Sequence, residues 1–209
     1  MCKLNLIIDM GTATTVIVDR KKGIVLSQPS IVAVLHRDGK PKALAVGDEA
    51  LALRKKKPKD VMFVYPIVGG MVANREAASL MIKGFLTLIT QKMLIRPQFD
   101  VMQIVSCGLH TTDRRAYEEV YYKLGIKSVT LIEAPIAAAS HVVGGAEFVV
   151  IFGAGVTDIA IVGESGIMAG CSIDIAASKM DDAIISYVYN KYNAAITRAR
   201  AADLRAKRG

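Results

Sequence analysis

Two stretches of this 209-residue chain bring together the residue types that hold phosphate. The first reads Ile7-Ile8-Asp9-Met10-Gly11-Thr12-Ala13-Thr14-Thr15-Val16, and the second reads Val149-Val150-Ile151-Phe152-Gly153-Ala154-Gly155-Val156-Thr157-Asp158. Each is an apolar strand, a glycine-containing turn of small residues, and the start of another strand. Glycine lets the backbone turn tightly and bring its N–H groups against a phosphate, and threonine hydroxyls add donors. An aspartate ending the first strand suits a hydrated magnesium ion. Asp9 stands there in the first turn, but Ile151 fills the matching place in the second. The expectation is a nucleotide fold with a damaged active site.

Other reactive residues form no comparable set. Cys107 and His110 are close in sequence, but two ligand types without a cluster make neither a metal site nor a nucleophile pair. Glu118 and Glu119 are helix neighbours that face different directions, so they read as solvated. Met93-Leu94-Ile95, flanked by Lys92 and Arg96, is either buried packing or an exposed apolar loop.

The net charge of +8 comes largely from local runs, Arg54-Lys55-Lys56-Lys57-Pro58-Lys59 and the C-terminal arginines and lysines. Such runs are usually solvated surface; the functional alternative is attraction to anionic lipid or an acidic partner. No aromatic residues interleave them, which argues against nucleic acid. Hydrophobic residues make up 52% of the chain and mean hydropathy is +0.36, yet no apolar run reaches the roughly 18 residues of a membrane span. Met1-Cys2-Lys3 leads straight into a strand without a signal peptide, and Cys2 stands where N-myristoylation needs glycine. Cys2, Cys107 and Cys171 are odd in number and far apart, as free thiols in a reducing compartment would be. A cytoplasmic location follows as the expectation.

Strands are expected at 4–9, 14–19, 24–26 and 31–35, with turns at 20–23, at Gln28-Pro29 and at 37–40. A short strand and a short helix beginning near Asp48 come next. Ala77, Leu80, Met81, Gly84, Phe85, Leu88 and Ile89 recur at helical spacing and mark a helix packed on a sheet. Strand 101–105 precedes a helix opened by Thr111-Thr112-Asp113, residues suited to an N-cap. Strand 128–132 leads to helix 135–141, with Pro135 in a first turn that tolerates it. From 147 the pattern restarts with three or four strands. A helix follows with Met180, Ala183, Ile184, Tyr187 and Val188 on one face, and then a basic helical segment. Two related α/β halves with a cleft between their glycine turns are the expected organisation.

Six segments in sequence order carry a family resemblance: I-D-M-G-T-A-T-T at 8–15, G-I-V-L-S-Q-P-S at 23–30, A-V-G-D-E-A at 45–50, L-I-E-A-P-I-A-A-A at 131–139, the turn at 151–158, and M-D-D-A-I-I-S-Y-V at 180–188. Together they resemble the N-terminal part of the bacterial actin MreB family, within the superfamily of actins, sugar kinases and heat-shock-chaperone ATPases. The resemblance implies an α/β fold of actin-like (ribonuclease H-like) domains with mixed sheets flanked by helices, truncated before the second small subdomain. It implies an actin-like domain I at 1–137 with a small inserted subdomain at about 32–64, and an incomplete domain II core at 138–209. Asp9, Gly11, Thr12, Ala13, Thr14, Gly153, Gly155 and Thr157 match its phosphate-binding positions, with Asp9 facing magnesium. In the family the loop at Met93, Leu94 and Ile95 is apolar and inserts into the membrane.

The departures matter more. Where the family has E-E-P, this chain has Glu133-Ala134-Pro135, and a methyl group cannot polarise the attacking water. Val156 replaces a family threonine, and Ile151 replaces the aspartate heading the turn. Phosphoryl transfer rests on positioned water, metal and charge stabilisation, and losing one such group commonly costs about two orders of magnitude or more. No catalytic residue is therefore assigned. The resemblance implies a cytoskeletal, filament-related protein of rod-shape determination that binds ATP and magnesium weakly or not at all and does not hydrolyse ATP. Its partners would be itself or another bacterial actin, with peripheral attachment to an anionic membrane. The alternatives are a superfamily ATPase of chaperone or kinase type, for which no catalytic acid is present, or a fragment of a longer MreB.

Overall fold

Alternating apolar residues build the strands of a first sheet, and a second sheet repeats its opening pattern. The computed structural model describes residues 3–37, 40–56, 58–95, 97–139 and 145–208. Its strands are β1 (Lys3–Met10), β2 (Thr14–Asp19), β3 (Gly23–Pro29), β4 (Val32–Arg37), β5 (Lys40–Val46), β6 (Val61–Val64), β7 (Ile67–Val68), β8 (Met71–Val72), β9 (Gln98–Val105), β10 (Ser128–Glu133), β11 (Ala146–Phe152), β12 (Thr157–Gly163) and β13 (Gly166–Ile173). Its helices are α1 (Gly47–Lys55), α2 (Arg75–Thr90), α3 (Thr111–Tyr122), α4 (Ala134–Ala138), α5 (Ala177–Tyr192) and α6 (Arg198–Arg208).

The first sheet runs β10-β9-β1-β2-β3. β1, β2 and β3 pair antiparallel, while β9 and β10 add in parallel beyond β1. Leu6, Ile8 and Met10 point to one face of β1, where Ala78, Met81, Ile82 and Phe85 of α2 and Tyr117, Val120 and Tyr121 of α3 bury them. Those helical residues recur every three or four positions, so each helix offers one continuous apolar stripe. The second sheet is β11-β12-β13, antiparallel throughout. A separate sheet, β5-β4-β6, lies beside α1, and β7 and β8 form a hairpin.

The expected elements are present with several changes. β2 has the expected bounds and β4 is shifted toward its C-terminal end, while β1 and β3 run longer than the apolar runs suggested, because backbone pairing continues past the apolar residues. β6, β7 and β8 were not anticipated; they are two to four residues long, too short to show a period. Thr111, Thr112 and Asp113 do not cap α3. The chain enters at His110, whose carbonyl accepts from the N–H groups of Asp113 and Arg114, so Asp113 lies within the first turn. By contrast, Asn74 caps α2, accepting from the Ala77 N–H at 2.9 Å. Helix 135–141 is the short α4, ending at Ala138. His141, Cys2, Lys57, Arg96 and the turn residues Asp38 and Gly39 lie outside the described residues.

α5 leaves much of its apolar face open. Met180, Ala183 and Tyr187 of that face are exposed, and the residue the helix buries is an acid, Asp181. Asp181 receives Arg205 of α6 at 2.8 Å, and Asp182 pairs with Arg198. Among the described residues no element covers the apolar side.

Candidate functional site

Both glycine turns close in the same way. The Gly11 N–H donates to the Thr14 carbonyl at 3.1 Å, and the Gly153 N–H donates to the Val156 carbonyl at 3.0 Å. A Cβ on either glycine would sit 2.8 Å from that acceptor oxygen, so each turn requires glycine for space. Ser30 braces the first turn: its hydroxyl donates to the Gly11 carbonyl at 2.6 Å and its N–H to the Ala13 carbonyl at 2.9 Å. The N-terminus of α5 braces the second, with Ala177 and Ser178 donating to the Gly153 and Ala154 carbonyls.

The turns meet. Gly155 lies so close to Thr12 that a Cβ there would stand 2.2 Å from the threonine Oγ1. The same Oγ1 accepts from the N–H of Gly70, in the β7–β8 hairpin, at 3.3 Å, and the Gly70 carbonyl accepts from Tyr117 Oη at 3.0 Å. Together they enclose a cavity of about 260 Å³. Asp9, Gly11, Thr12, Ala13 and Thr14 line it from the first turn, and Ile151, Gly153, Gly155 and Val156 from the second, with Ala134 at the start of α4. Thr157 is not in the lining. It pairs with Phe152 across the sheet and so points to the other face, where its hydroxyl donates to the Ile175 carbonyl at 2.7 Å.

Asp158, one residue on, shares the face of Ile151 and does line the cavity. It is buried and accepts the Cys107 N–H at 2.9 Å. Burial and the negative Asp158 nearby push the Asp9 carboxyl above its ordinary pKa, although Asp9 still reaches solvent through the cleft. Burial, with help from Asp9, likewise raises the Tyr117 hydroxyl. Asp158, Gly70 and Tyr117 were missed from sequence. Strand alternation from Ile151 was signal enough for Asp158, and Gly69-Gly70 marked a turn whose destination only the fold reveals.

Glu133, beside Ala134, is already engaged: Arg114 pairs with one carboxylate oxygen and the Gly108 N–H donates to the other at 3.0 Å. The Cys107 thiol is pushed up to about 11, first by burial and then by Glu133, so it stays protonated near neutrality. Met93, Leu94 and Ile95 lie away from the cavity. Leu94 and Ile95 are exposed, whereas Met93 is half-buried beside Leu86 and Phe99.

Among the described residues, the N–H groups of Thr12, Ala13, Ala154 and Gly155 have no protein acceptor. Four free donors on two facing glycine turns fit an anionic phosphate. The fit to a metal is thinner: Asp9 and Asp158 are the carboxylates of the cavity, and no group of three metal-ligating side chains occurs among the described residues.

The family model for MreB/Mbl protein matches residues 3–209. The chain is 34% identical over 206 residues to the cell shape-determining protein MreB of Escherichia coli K12, covering 94% of this chain and 59% of that one. It is 33% identical over 210 residues to the cell shape-determining protein Mbl of Bacillus subtilis 168, covering 96% and 61%. Its structure is similar to MreB5 of Spiroplasma citri bound to ADP, with a TM-score of 0.83 and 26% identity over 97% of this chain and 61% of that one. The same protein bound to AMPPNP gives a TM-score of 0.82. The chain thus spans about three fifths of the length of these relatives.

Proposed function

The chain belongs to the MreB/Mbl family of actin-like cell shape-determining proteins, and from that premise we propose that it is a degenerate member, acting in filaments or on them without turning ATP over. One observation carries the reading. Two intact backbone turns face each other across a cavity whose side-chain chemistry has become apolar at Ala134, Ile151 and Val156.

The N–H groups of Thr12, Ala13, Ala154 and Gly155 would hold phosphate oxygens, and Asp9 would face the water shell of a magnesium ion. A bound nucleoside triphosphate supplies the phosphoryl group and the metal its charge neutralisation. The residues present orient but do not activate. Ala134 offers no base for a water, and Glu133 beside it is held by Arg114 and Gly108. The two structures of MreB5 hold ADP and AMPPNP, which supports nucleotide as the ligand. The division into domains at 1–137 and 138–209 belongs to the same proposal. So do a cytoplasmic location and peripheral contact with anionic membrane through Leu94 and Ile95.

Calorimetry with ATP and magnesium, phosphate-release assays, and electron microscopy with and without full-length Escherichia coli MreB test the proposal together. Expected are weak or undetectable nucleotide binding, no steady phosphate release, and altered or co-assembled filaments. Steady release that disappears in Asp9→Ala would show an intact ATPase and overturn the reading.

A further inference from the structure

Away from the cleft, the C-terminal ends of α2 and α3 flank a groove. Two contacts fix how these helices lie: Arg75 pairs with Glu119 at 3.1 Å, and the Ser79 hydroxyl donates to the Val120 carbonyl at 3.1 Å. The contacts advance together along both helices, so the helices run in the same direction. A turn further on, each presents a lysine, Lys83 on α2 and Lys123 just past α3, and both line a groove of about 430 Å³. Hydrocarbon makes up most of its wall: Leu86 and Ile126 are buried there, and Met93, Phe99 and Leu124 are half-buried. The Thr87 and Thr90 hydroxyls, also in the wall, donate to the Lys83 and Leu86 carbonyls of their own helix at 2.8 and 2.7 Å. The two ammonium groups are left as the uncommitted side-chain donors. Among the described residues no carboxylate lines the groove and neither lysine forms an ion pair.

We propose that this groove binds a long-chain carboxylate, its hydrocarbon chain against Leu86, Phe99 and Ile126 and its anionic head between Lys83 and Lys123. Small-molecule pockets span about 300–1,000 Å³ and are mostly apolar with a few placed polar groups, which describes this one. A polypeptide would bring amides that find no partners on hydrocarbon walls. A neutral apolar ligand would bury the same surface but leave two like charges side by side without a counter-ion. A carboxylate with a hydrocarbon tail meets both demands. Binding here rests on neither of the earlier readings. Phe99 pairs with Leu4 at the start of β1, whereas the phosphate turns lie beyond Asp9 at its other end, and Leu94 and Ile95 do not line the groove.

The test titrates decanoate and its neutral counterpart decanol, both below the concentrations at which they aggregate, into the whole chain. Calorimetry gives the affinities, and methyl NMR of the nine methionines gives the place, with Met93 assigned through Met93→Leu. Decanoate should bind one-to-one and shift the Met93 methyl, and decanol should bind more weakly by roughly tenfold or more. Lys83→Gln with Lys123→Gln, both at exposed positions, should weaken decanoate binding by roughly tenfold or more and leave decanol unchanged. Lys55→Gln with Lys56→Gln removes equal charge outside the groove and should change neither, and Leu94→Ser with Ile95→Ser should bind decanoate as the parent does. The proposal is overturned by absence of saturable decanoate binding, by equal affinity for decanol, or by shifts that spare Met93. It is equally overturned by binding indifferent to the two groove lysines, or by binding that falls with the Lys55 and Lys56 or the Leu94 and Ile95 changes.

Discussion

Replacing Gly155 with alanine tests whether the two turns touch. A Cβ at Gly155 would lie 2.2 Å from Thr12 Oγ1, 2.9 Å from Thr12 Cβ and 3.1 Å from Thr12 Cγ2. Carbon atoms rest at about 3.5–4.0 Å, so the turns must separate by roughly 1 Å. Rotating Thr12 does not relieve this fully, because its Cβ stays at 2.9 Å and the bond from the Gly70 N–H is lost. Gly155 has no positive φ among the described residues, so the effect is steric rather than a backbone penalty. Overpacking of this kind costs about 1–3 kcal/mol. For a chain of this size, each kcal/mol lowers Tm by about 2–4 °C.

The cause is isolated by a double-mutant cycle. Thr12→Ala removes Oγ1 and Cγ2 but leaves Cβ at 2.9 Å, so it should rescue Gly155→Ala partly, with a coupling of about 0.5–3 kcal/mol. Gly153→Ala is the control. Its Cβ would meet the Val156 carbonyl at 2.8 Å, within its own turn, so Thr12→Ala should not help it. Urea and thermal unfolding of the single and double variants give the numbers. If the Gly155 and Thr12 changes are simply additive, the turns are apart in solution and the shared cavity is wrong.

Three further outcomes are expected. Burial and Asp158 disfavour the Asp9 anion, so the folded state loses stability as pH rises from the unfolded pKa through the raised folded one; Asp9→Asn should raise the urea midpoint at pH 7, with the gain vanishing below the ordinary aspartate value of about 3.9. Gln103 is fully buried and accepts from the Tyr121 hydroxyl, so Gln103→Leu should cost about 1–3 kcal/mol and Tyr121→Phe in that background should recover much of it; equal loss with and without Tyr121→Phe would refute the pairing. Leu94→Ser with Ile95→Ser should leave unfolding unchanged, because both side chains are exposed, while reducing co-sedimentation with anionic liposomes; an unfolded variant, or undiminished binding, removes the loop from membrane contact.

Local signals made much of this fold legible. Gly11 and Gly153 announce tight turns because no other residue fits beside the acceptor carbonyl, and α2 follows from seven apolar positions at helical spacing. Membership of the cavity was harder, since a motif match runs along the chain while a strand alternates between faces. Thr157 therefore went to the wrong side and Asp158, which lines the cavity, was passed over. Gly70 and Tyr117 reach the site by tertiary packing alone. The apolar face of α5 was legible as a face, but periodicity reports what a helix is able to bury and says nothing about whether a neighbour is there.

Binding and turnover draw on different atoms in this cleft, and the substitutions fall on one set. The proposed phosphate cradle is backbone: four N–H groups held in place by glycine turns, by Ser30 and by the start of α5. Such donors survive a change of neighbouring side chain as long as the glycines remain. Hydrolysis needs side chains that hold water and metal, and here Ala134, Ile151 and Val156 supply only hydrocarbon. Asp9 keeps a carboxyl at the position proposed to face the metal, and its raised pKa reflects burial first and then the nearby negative Asp158. On the proposed reading, the cleft would recognise an anion by geometry while lacking the groups that would activate water against it. Assembly that depends on nucleotide occupancy would then be separable from assembly that depends on hydrolysis.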